Sequence, residues 1–276
     1  MIDCFLPDLD RQAMATTLSQ LDDSKAVRSV FWMEGPLASS NSVMSIAERA
    51  RAPYVLLFTK ATPVSIGQGA LERMLRVACE SGASMVYADR YERKRVGEEW
   101  SEERHPVIDY QLGAIRDDFD FGSLWLVKTP LLHTFAMQAG EHDYQYAGLY
   151  ALRLFLSREG QLFHLNELLY TEVEHDMRAS GVKQFDYVNP RNREVQVEME
   201  HAATAHLAAI GAKIDPTYYR TPDFGEQEFD YEASIVIPVF NRAKTIADAV
   251  GSALEQKTNF KYNVIVVAHH STDGTS

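Results

Sequence analysis

The segment Ser234–Ser276 is the part of the chain that most restricts the fold. Ser234–Pro238 is a β-branched apolar run ending at a proline, and Val264–Val267 is a second apolar run followed by turn-forming residues. Between them Asn241 is a candidate N-cap for a helix. The helix is predicted by apolar residues at three- and four-residue steps: Ile246, Ala249, Val250, Ala253 and Leu254. Such a strand–helix–strand unit opens an α/β sheet, in which ligands bind at the carboxyl ends of the strands.

The two turns of this segment resemble glycosyltransferase family 2, whose members have the GT-A fold. The resemblance rests on IPVFNR after the first strand and on VIVV followed by STDGT after the second. It implies a nucleotide-sugar site shaped by Pro238, Phe240, Asn241 and Asp273. The family's acid that holds the nucleotide base is replaced here by Ala268-His269. The alternative is an ordinary βαβ unit without a ligand.

The N-terminus repeats the opening of that segment. Leu6-Pro7-Asp8-Leu9-Asp10-Arg11 and Ile237-Pro238-Val239-Phe240-Asn241-Arg242 share the order apolar, Pro, any residue, apolar, Asp or Asn, Arg. We interpret this as a domain-scale repeat, which makes Pro7 a further candidate for nucleotide binding; chance similarity is the alternative. Residues 1–212 are then a GT-A-like α/β domain, an open mixed sheet with helices on both faces and degenerate catalytic motifs. Residues 213–232 are a linker, and residues 233–276 are the incomplete βαβ start of a second such domain.

Hydrophobic periodicity predicts the other elements. The main ones are helices over 11–21, 66–81 and 191–210, a strand over 54–58, a hairpin or loop over 90–104, and short strands over 161–165 and 168–173.

The first domain departs from the family where chemistry is expected. The resemblance places a metal-binding Asp-x-Asp at Thr59-Lys60-Ala61, which cannot hold a hard cation. Lys60 is therefore a candidate phosphate ligand, or else a solvated loop residue. The family's acidic base motif falls on Tyr146-Ala147-Gly148-Leu149-Tyr150. Asp143, the nearest acid, and Asp118 are weak candidates for the base.

Metal ligands are expected from other acids. Asp89, after a predicted strand, and Asp120 are weak candidates. A third candidate group combines Glu172 with Glu174, His175 and Asp176, although a solvated strand end is the favoured interpretation.

The segment 105–121 mixes aromatic and acidic residues without helical or strand periodicity. Long irregular segments of this kind are often binding loops, and aromatic faces beside carboxylates suit sugars. The family resemblance also assigns this region to the acceptor side. The candidate acceptor residues are Asp109, Arg116, Asp117, Asp118 and Phe119. The alternative is a wrapped loop whose aromatic residues fill the edge of the core.

Composition restricts the partners. The net charge of 27 − 39 = −12 argues against nucleic acid or an anionic membrane surface. Cys4 and Cys79 are interpreted as core thiols in a reducing compartment. With no signal peptide and no membrane-spanning run, we expect a cytoplasmic location.

The resemblance implies a transferase that moves a sugar from a nucleotide-sugar donor to a carbohydrate acceptor, in cell-surface polysaccharide synthesis. A Mg²⁺ or Mn²⁺ ion is expected for the whole enzyme, although this chain itself could bind no cation. The complete active site would lie mostly beyond Ser276. The alternative is a non-catalytic glycan-binding or scaffolding module. A minor third hypothesis is a metal-independent transferase that uses Lys60 and Arg116 on the diphosphate. Because an unfinished second sheet exposes strand edges, self-association is a further hypothesis.

Overall fold

The computed structural model describes residues 1–33, 35–96, 99–138, 143–173, 193–223, 225 and 228–275. The chain divides into two compact units, Met1–Ile214 and Asp215–Ser276. The predicted ligands Glu174, His175 and Asp176 lie outside the described residues.

A mixed sheet forms the centre of the first unit. Its described strands are β1 (Ile2–Leu6), β2 (Val27–Trp32), β3 (Tyr54–Phe58), β4 (Val64–Ile66), β5 (Met85–Val96), β6 (Glu99–His105), β7 (Leu124–Lys128) and β8 (Leu162–Val173). They lie in the order β2-β1-β3-β7-β5-β8-β4, and β6 pairs with the outer part of β5. Strands β2, β1 and β3 are parallel, as are β5 and β8, whereas β7 runs antiparallel to both β3 and β5. The carboxyl ends of β1, β3, β5 and β8 therefore meet at one edge.

Helices cover both faces of this sheet. They are α1 (Ala15–Asp23), α2 (Ser40–Arg49), α3 (Ala70–Ser81), α4 (Thr129–Gln138), α5 (Gly148–Glu159) and α6 (Arg193–Ala209). Because side chains alternate along a strand, Cys4 packs on the side of α1 and α3, and Phe5 on the side of α2, α4 and α5. Helix α6 packs on α5 through Met199 and Ala202. The predicted open mixed α/β sheet with helices on both faces is thereby confirmed.

Three predicted elements have different bounds in the structure. The helix predicted over 11–21 is α1, Ala15–Asp23, because residues 11–14 form a turn before it. The helix predicted over 66–81 begins at Ala70, because Val64–Ile66 pairs with β8 as a strand and Gly69 adopts a left-handed φ of 72°. The two short strands predicted over 161–165 and 168–173 are one strand, β8, whose register with β5 shifts near Asp89. A hairpin and a loop were the two alternatives for residues 90–104. Arg90–Val96 and Glu99–His105 pair as antiparallel strands, which agrees with the hairpin.

The two cysteines differ in their surroundings. Cys4 is buried in β1, as predicted, whereas Cys79 on the outer side of α3 is exposed, so the prediction of a core thiol is wrong there.

The second unit contains a parallel strand pair and one longer helix. Strands β9 (Ala233–Val239) and β10 (Tyr262–Ala268) flank α7 (Ile246–Leu254), after a 3₁₀ turn at Pro216–Tyr218. Asn241 is not the predicted N-cap, since α7 begins five residues later and Thr245 precedes it. Of the predicted apolar face of α7, only Ala253 is buried, and the strands expose Val236, Ile265, Val266 and Val267. No helix in the described part of the chain is long and apolar enough to cross a bilayer.

Candidate functional site

An open cleft of about 470 Å³ lies at the carboxyl end of β3 in the first unit. Its floor includes Thr59 and Lys60, the residues that directly follow β3. One wall is the segment 117–122, and the other is formed by α5 and α6. The side chains of the helical wall are Leu149, Tyr150, Arg153 and Met199. The cleft thus brings together Lys60 and three of the predicted acceptor residues: Asp117, Asp118 and Phe119.

Lys60 does not extend freely into the cleft. Its Nζ lies 2.6 Å from Oε1 of Glu172, a residue that is 2% exposed on β8. The same carboxylate faces the buried guanidinium of Arg90 at 2.8 Å and accepts a hydrogen bond from the Ser123 hydroxyl. Two cations therefore share one buried carboxylate, which anchors the ammonium of Lys60 to the sheet.

Asp120, a candidate metal ligand, has protein partners for both carboxylate oxygens. Oδ2 lies 3.0 Å from Arg90 and 3.1 Å from Nε2 of His105, and Oδ1 accepts from the Gly122 amide at 2.9 Å. Burial opposes ionisation, but Arg90 and the Gly122 amide outweigh it and hold the pKa of Asp120 below its usual value. The carboxylate therefore serves to join the segment 117–122 to the sheet.

Asp89, the other candidate metal ligand, lies outside the cleft. Its Oδ1 accepts from the Val107 amide and contacts Nε2 of His164, both at 2.8 Å. The other ring nitrogen of His164 lies 2.7 Å from Asp109, an exposed acceptor candidate. Both ring nitrogens thus face carboxylates, and this row of side chains fastens the start of the segment 105–121 to β5 and β8.

The rest of that segment is held by side chains from the scaffold. Arg153 on α5 donates to the carbonyls of Ala114 and Arg116, and the hydroxyl of Tyr150 donates to Ile115 O. Arg153 is 2% exposed, and burial lowers its pKa. Phe119 is half-buried against Phe121, with ring centroids 4.4 Å apart. One side of the segment packs on the scaffold, as the wrapped-loop alternative predicts, and the other side lines the cleft; the binding role stays a prediction.

The acids at the mouth of the cleft are exposed. Arg116 holds Asp118 with two hydrogen bonds of 2.9 and 2.8 Å, and this pairing lowers the pKa of the Asp118 carboxyl. A carboxylate with a lowered pKa is a weaker proton acceptor, which disfavours Asp118 as a base near neutral pH. Asp117 is exposed and lines the cleft.

The start of α5, where the resemblance expects an acidic motif, receives a carboxylate from elsewhere. Glu198 on α6 accepts from the amides of Gln145, Tyr146 and Ala147 at 2.7–3.1 Å. It satisfies amides that would otherwise be unpaired before the helix, and its charge is favourable at that end of the helix dipole. Asp143, the other base candidate, is exposed ahead of these residues and is not among the side chains that line the cleft.

The side chains of the cleft do not fit a divalent cation. The ammonium of Lys60 occupies the place where a ligand would be needed, and Asp120 is already shared by two cationic or donor side chains. Within the described ranges, no three His, Cys, Asp or Glu side chains are grouped to hold a metal ion. The metal ligands named from the sequence stay predictions.

In the second unit, the turns after β9 and β10 bind each other at the carboxyl ends of these parallel strands. Asn241, at a left-handed φ of 51°, accepts from the Thr272 amide at 2.8 Å through its side chain. Asp273 accepts from the Ala243 amide at 3.0 Å and from the amide and hydroxyl of Thr275. Phe240 is 56% exposed beside the ring of His269, with centroids 6.4 Å apart. Pro238 lies within β9, opposite Val267.

The match to known families falls on this unit. The sequence model described as glycosyl transferase family 2 matches residues 234–276. This segment is therefore similar to glycosyl transferase family 2. The predicted resemblance is thereby confirmed for residues 234–276, which are the residues that carry it.

Whole-chain comparisons give weaker likenesses. The crystal structure of Staphylococcus aureus TarS 1-349 is 9% identical, with a TM-score of 0.47 over 76% of this chain and 82% of that one. The same protein in complex with UDP-GlcNAc is 10% identical, with a TM-score of 0.40 over 75% of this chain and 71% of that one. A search of curated proteins finds no match. At these identities and scores, the likenesses carry no argument about substrates or residues.

The contacts that build the cleft include residues that sequence reasoning did not single out. Arg90 stands in a dense charge run, Arg153 in a helical stripe, and Glu198 in a helix with no chemical motif. Tyr170 belongs to no recognisable sequence motif, yet its hydroxyl accepts a hydrogen bond from the Ser123 amide. Only Glu172 had a signal, as part of an acidic cluster, and that signal pointed to metal binding rather than to pairing with cations.

Proposed function

We propose that the protein transfers a sugar from a nucleotide-sugar donor to a carbohydrate acceptor, in the synthesis of a cell-surface polysaccharide. The observation that carries the proposal is the family 2 segment, whose two turns are hydrogen-bonded together at the carboxyl ends of β9 and β10. This edge of a parallel sheet is where open α/β proteins bind ligands.

The turns of the second unit are proposed to bind the nucleotide end of the donor. Asn241 and Asp273 set the shape of these turns, and the exposed ring of Phe240 offers a face on which a base can stack. Ala268 and His269 follow the strand where the family has an acid, so the base would be held by ring contacts rather than by a carboxylate. Pro238 would fix the backbone just before Phe240.

The cleft of the first unit is proposed to bind the acceptor glycan without performing the transfer. Aromatic side chains line it next to the exposed carboxylates of Asp117 and Asp118, a combination that suits sugar rings and hydroxyls. Lys60 is neutralised by Glu172, which argues against a role in neutralising a leaving diphosphate. This supports the non-catalytic role over the metal-independent transferase for that unit.

Calorimetric titration of the chain tests the donor site. UDP, ADP and GDP are titrated with and without Mn²⁺, and we expect at least one to bind. Asn241→Ala removes the bond to Thr272 and strains the left-handed backbone, so it should weaken binding by at least ~10-fold. Gln256→Ala, on an exposed residue beyond α7, is the matched control and should bind as the unmodified chain does. Absence of binding by all three nucleotides would overturn the donor assignment.

A glycan array tests the acceptor cleft separately. Phe119→Ala and Asp117→Asn should both reduce the signal of the oligosaccharides that the unmodified chain retains. Asp22→Asn, on the exposed side of α1, is the control for Asp117→Asn and should leave that signal unchanged. Equal retention by all variants would refute glycan binding in the cleft and leave the donor assignment intact.

A further inference from the structure

The hairpin of β5 and β6 has one face rich in arginine and aromatic side chains. Directly paired residues and alternate residues of an antiparallel pair share a face. Tyr91 pairs with Arg104, Arg93 with Glu102, and Arg95 with Trp100. We call this set the basic hairpin face: Tyr91, Arg93, Arg95, Trp100, Glu102 and Arg104.

On the opposite face of the same hairpin, two basic side chains lie close to carboxylates. Lys94 lies 2.6 Å from Glu103, and Nδ1 of His105 lies 3.2 Å from Glu92. On the basic hairpin face, by contrast, Arg93 and Arg104 have no ion-pair partner within 4.0 Å in the part of the chain that the structure describes. Arg93 and Arg104 thus give this face more positive charge than its one carboxylate, Glu102, balances, in a chain whose net charge is −12.

Trp100 adds an exposed ring to these charges. Its side chain is 52% exposed, and the guanidinium of Arg93 lies over the indole at 5.1 Å from the ring centroid. The indole thus adds an exposed aromatic face beside the guanidinium of Arg93, a combination that suits a ligand with both anionic groups and sugar rings.

The hairpin is joined at its base to the acceptor cleft. Arg90 and His105 form the first pair of the hairpin, and both contact Asp120 in the wall of the cleft. The hairpin also continues β5 beyond the edge of the sheet at which the cleft lies. A polymer lying on the basic hairpin face would therefore extend near the cleft.

We propose that the basic hairpin face binds an acidic polysaccharide, one that carries carboxylate or phosphate groups. Guanidinium groups bind both kinds of anion through paired hydrogen bonds, and a sugar ring can stack on Trp100. The net charge of −12 disfavours duplex DNA, which is a denser polyanion than a glycan whose charges are separated by sugar rings. Calling the polymer the acceptor rests on the proposed function; its binding to the hairpin does not.

Affinity electrophoresis of the whole chain tests this proposal. The gels contain oligogalacturonate, poly(glycerol phosphate), neutral dextran or a duplex DNA oligonucleotide. We expect at least one acidic glycan to retard the chain while dextran does not, and the two acidic probes distinguish carboxylate from phosphate recognition. Retardation should weaken as salt is added, because ion pairs with a polyanion are screened.

The variants assign the binding to this face. Arg93→Glu with Arg104→Glu should weaken binding at least ~10-fold, and Trp100→Ala should weaken it while leaving the salt dependence unchanged. The double variant Arg76→Glu with Arg220→Glu makes the same change in net charge at exposed sites elsewhere and should bind as before. The fold of each variant is checked by circular dichroism.

Three results would overturn the proposal. One is that no acidic glycan binds. Another is that the two charge-reversal variants lose binding equally, which would mean that net charge alone is responsible. The third is that duplex DNA binds as tightly as the best acidic glycan. None of these results bears on nucleotide binding, so failure here and failure of the donor assignment are told apart.

Discussion

Nζ of Lys60 lies 2.6 Å from Oε1 of Glu172, just after β3, where the family resemblance led us to expect a metal-binding Asp-x-Asp. Glu172 is buried between Lys60 and Arg90, so its carboxylate neutralises two cations of the chain itself. The pair links the end of β3 to β8 across β7 and β5. The first unit thus uses an internal ion pair where a metal-dependent enzyme would use its ligand.

Glu172→Gln should destabilise the first unit by about 3–5 kcal/mol, because it leaves the buried Arg90 without its main counter-charge. The measurement is the free energy of unfolding in urea. Glu167→Gln is the matched control on the same strand. Glu167 also pairs with an arginine, Arg73, but both side chains are about two-fifths exposed, so the control should cost under about 1 kcal/mol. A similar loss of unfolding free energy in the two variants would contradict the role of Glu172 as the main counter-charge of Arg90.

Gly122→Ala should cost more than about 2 kcal/mol. Gly122 has a φ of +70°, and an added Cβ would lie 2.0 Å from the hydroxyl of Tyr170. That hydroxyl cannot easily move, because Tyr170 is 2% exposed and bonded to the Ser123 amide. Gly113→Ala is the control, since Gly113 has a φ of +95° but open space around it, and strain alone should cost about 1 kcal/mol. Thermal unfolding compares the two.

Asp3 should make the first unit less stable at acidic pH. Burial opposes its ionisation, but Arg28 and the amides of Arg51 and Ala52 outweigh burial and lower the pKa of the carboxyl. The pKa of Asp3 in the folded state lies below the unfolded value of about 3.9. The ionised carboxylate therefore stabilises the fold fully above that pH, and this stabilisation is lost as the pH falls through the folded pKa.

Asp3→Asn should therefore destabilise the unit by about 3 kcal/mol at neutral pH and flatten the decline in stability below about pH 4. Urea unfolding across pH 2.5–7 (roughly the range in which carboxyls titrate) measures both effects. Asp22→Asn, at an exposed position, should change neither. An unchanged acid profile in Asp3→Asn would exclude Asp3 as the source.

The two thiols should differ sharply in reactivity. Cys79 is exposed, whereas Cys4 is fully buried, and burial raises the pKa of its thiol to about 12. Because the thiolate is the reactive form, Ellman's reagent should modify Cys79 in the native chain and Cys4 only after denaturation. Cys79→Ser should abolish the native reaction. Rapid reaction of that variant under native conditions would show that β1 opens.

Strands with continuous apolar runs could be predicted from the sequence. Tyr54–Phe58 was assigned with its observed bounds, because every residue in it is buried in the centre of the sheet. The interruption at Asn166-Glu167 divided β8 in the prediction, since a local pattern does not show that a strand continues through an irregular pairing. The helix start at Ala70 depended on the backbone of Gly69 and on pairing with β8, which are tertiary features.

The sequence indicated some of the residues that line the candidate site, but not the side chains that hold them in place. Asp117, Asp118 and Phe119 were expected in a binding segment, and the structure places all three at one cleft. The partners that hold this segment come from distant elements. Tyr150 and Arg153 follow it by tens of residues, and Arg90 precedes it on the far side of a hairpin. No spacing rule relates such residues, so their contacts required the fold itself.

The attachment of the segment 105–121 has a practical consequence for engineering. Scaffold side chains, namely Tyr87, Tyr150 and Arg153, bind its backbone carbonyls and one backbone amide. Such contacts are indifferent to the side chains of the segment. The exposed positions between them could therefore be randomised in a library, and the cleft could be given a new ligand without redesign of the domain that supports it.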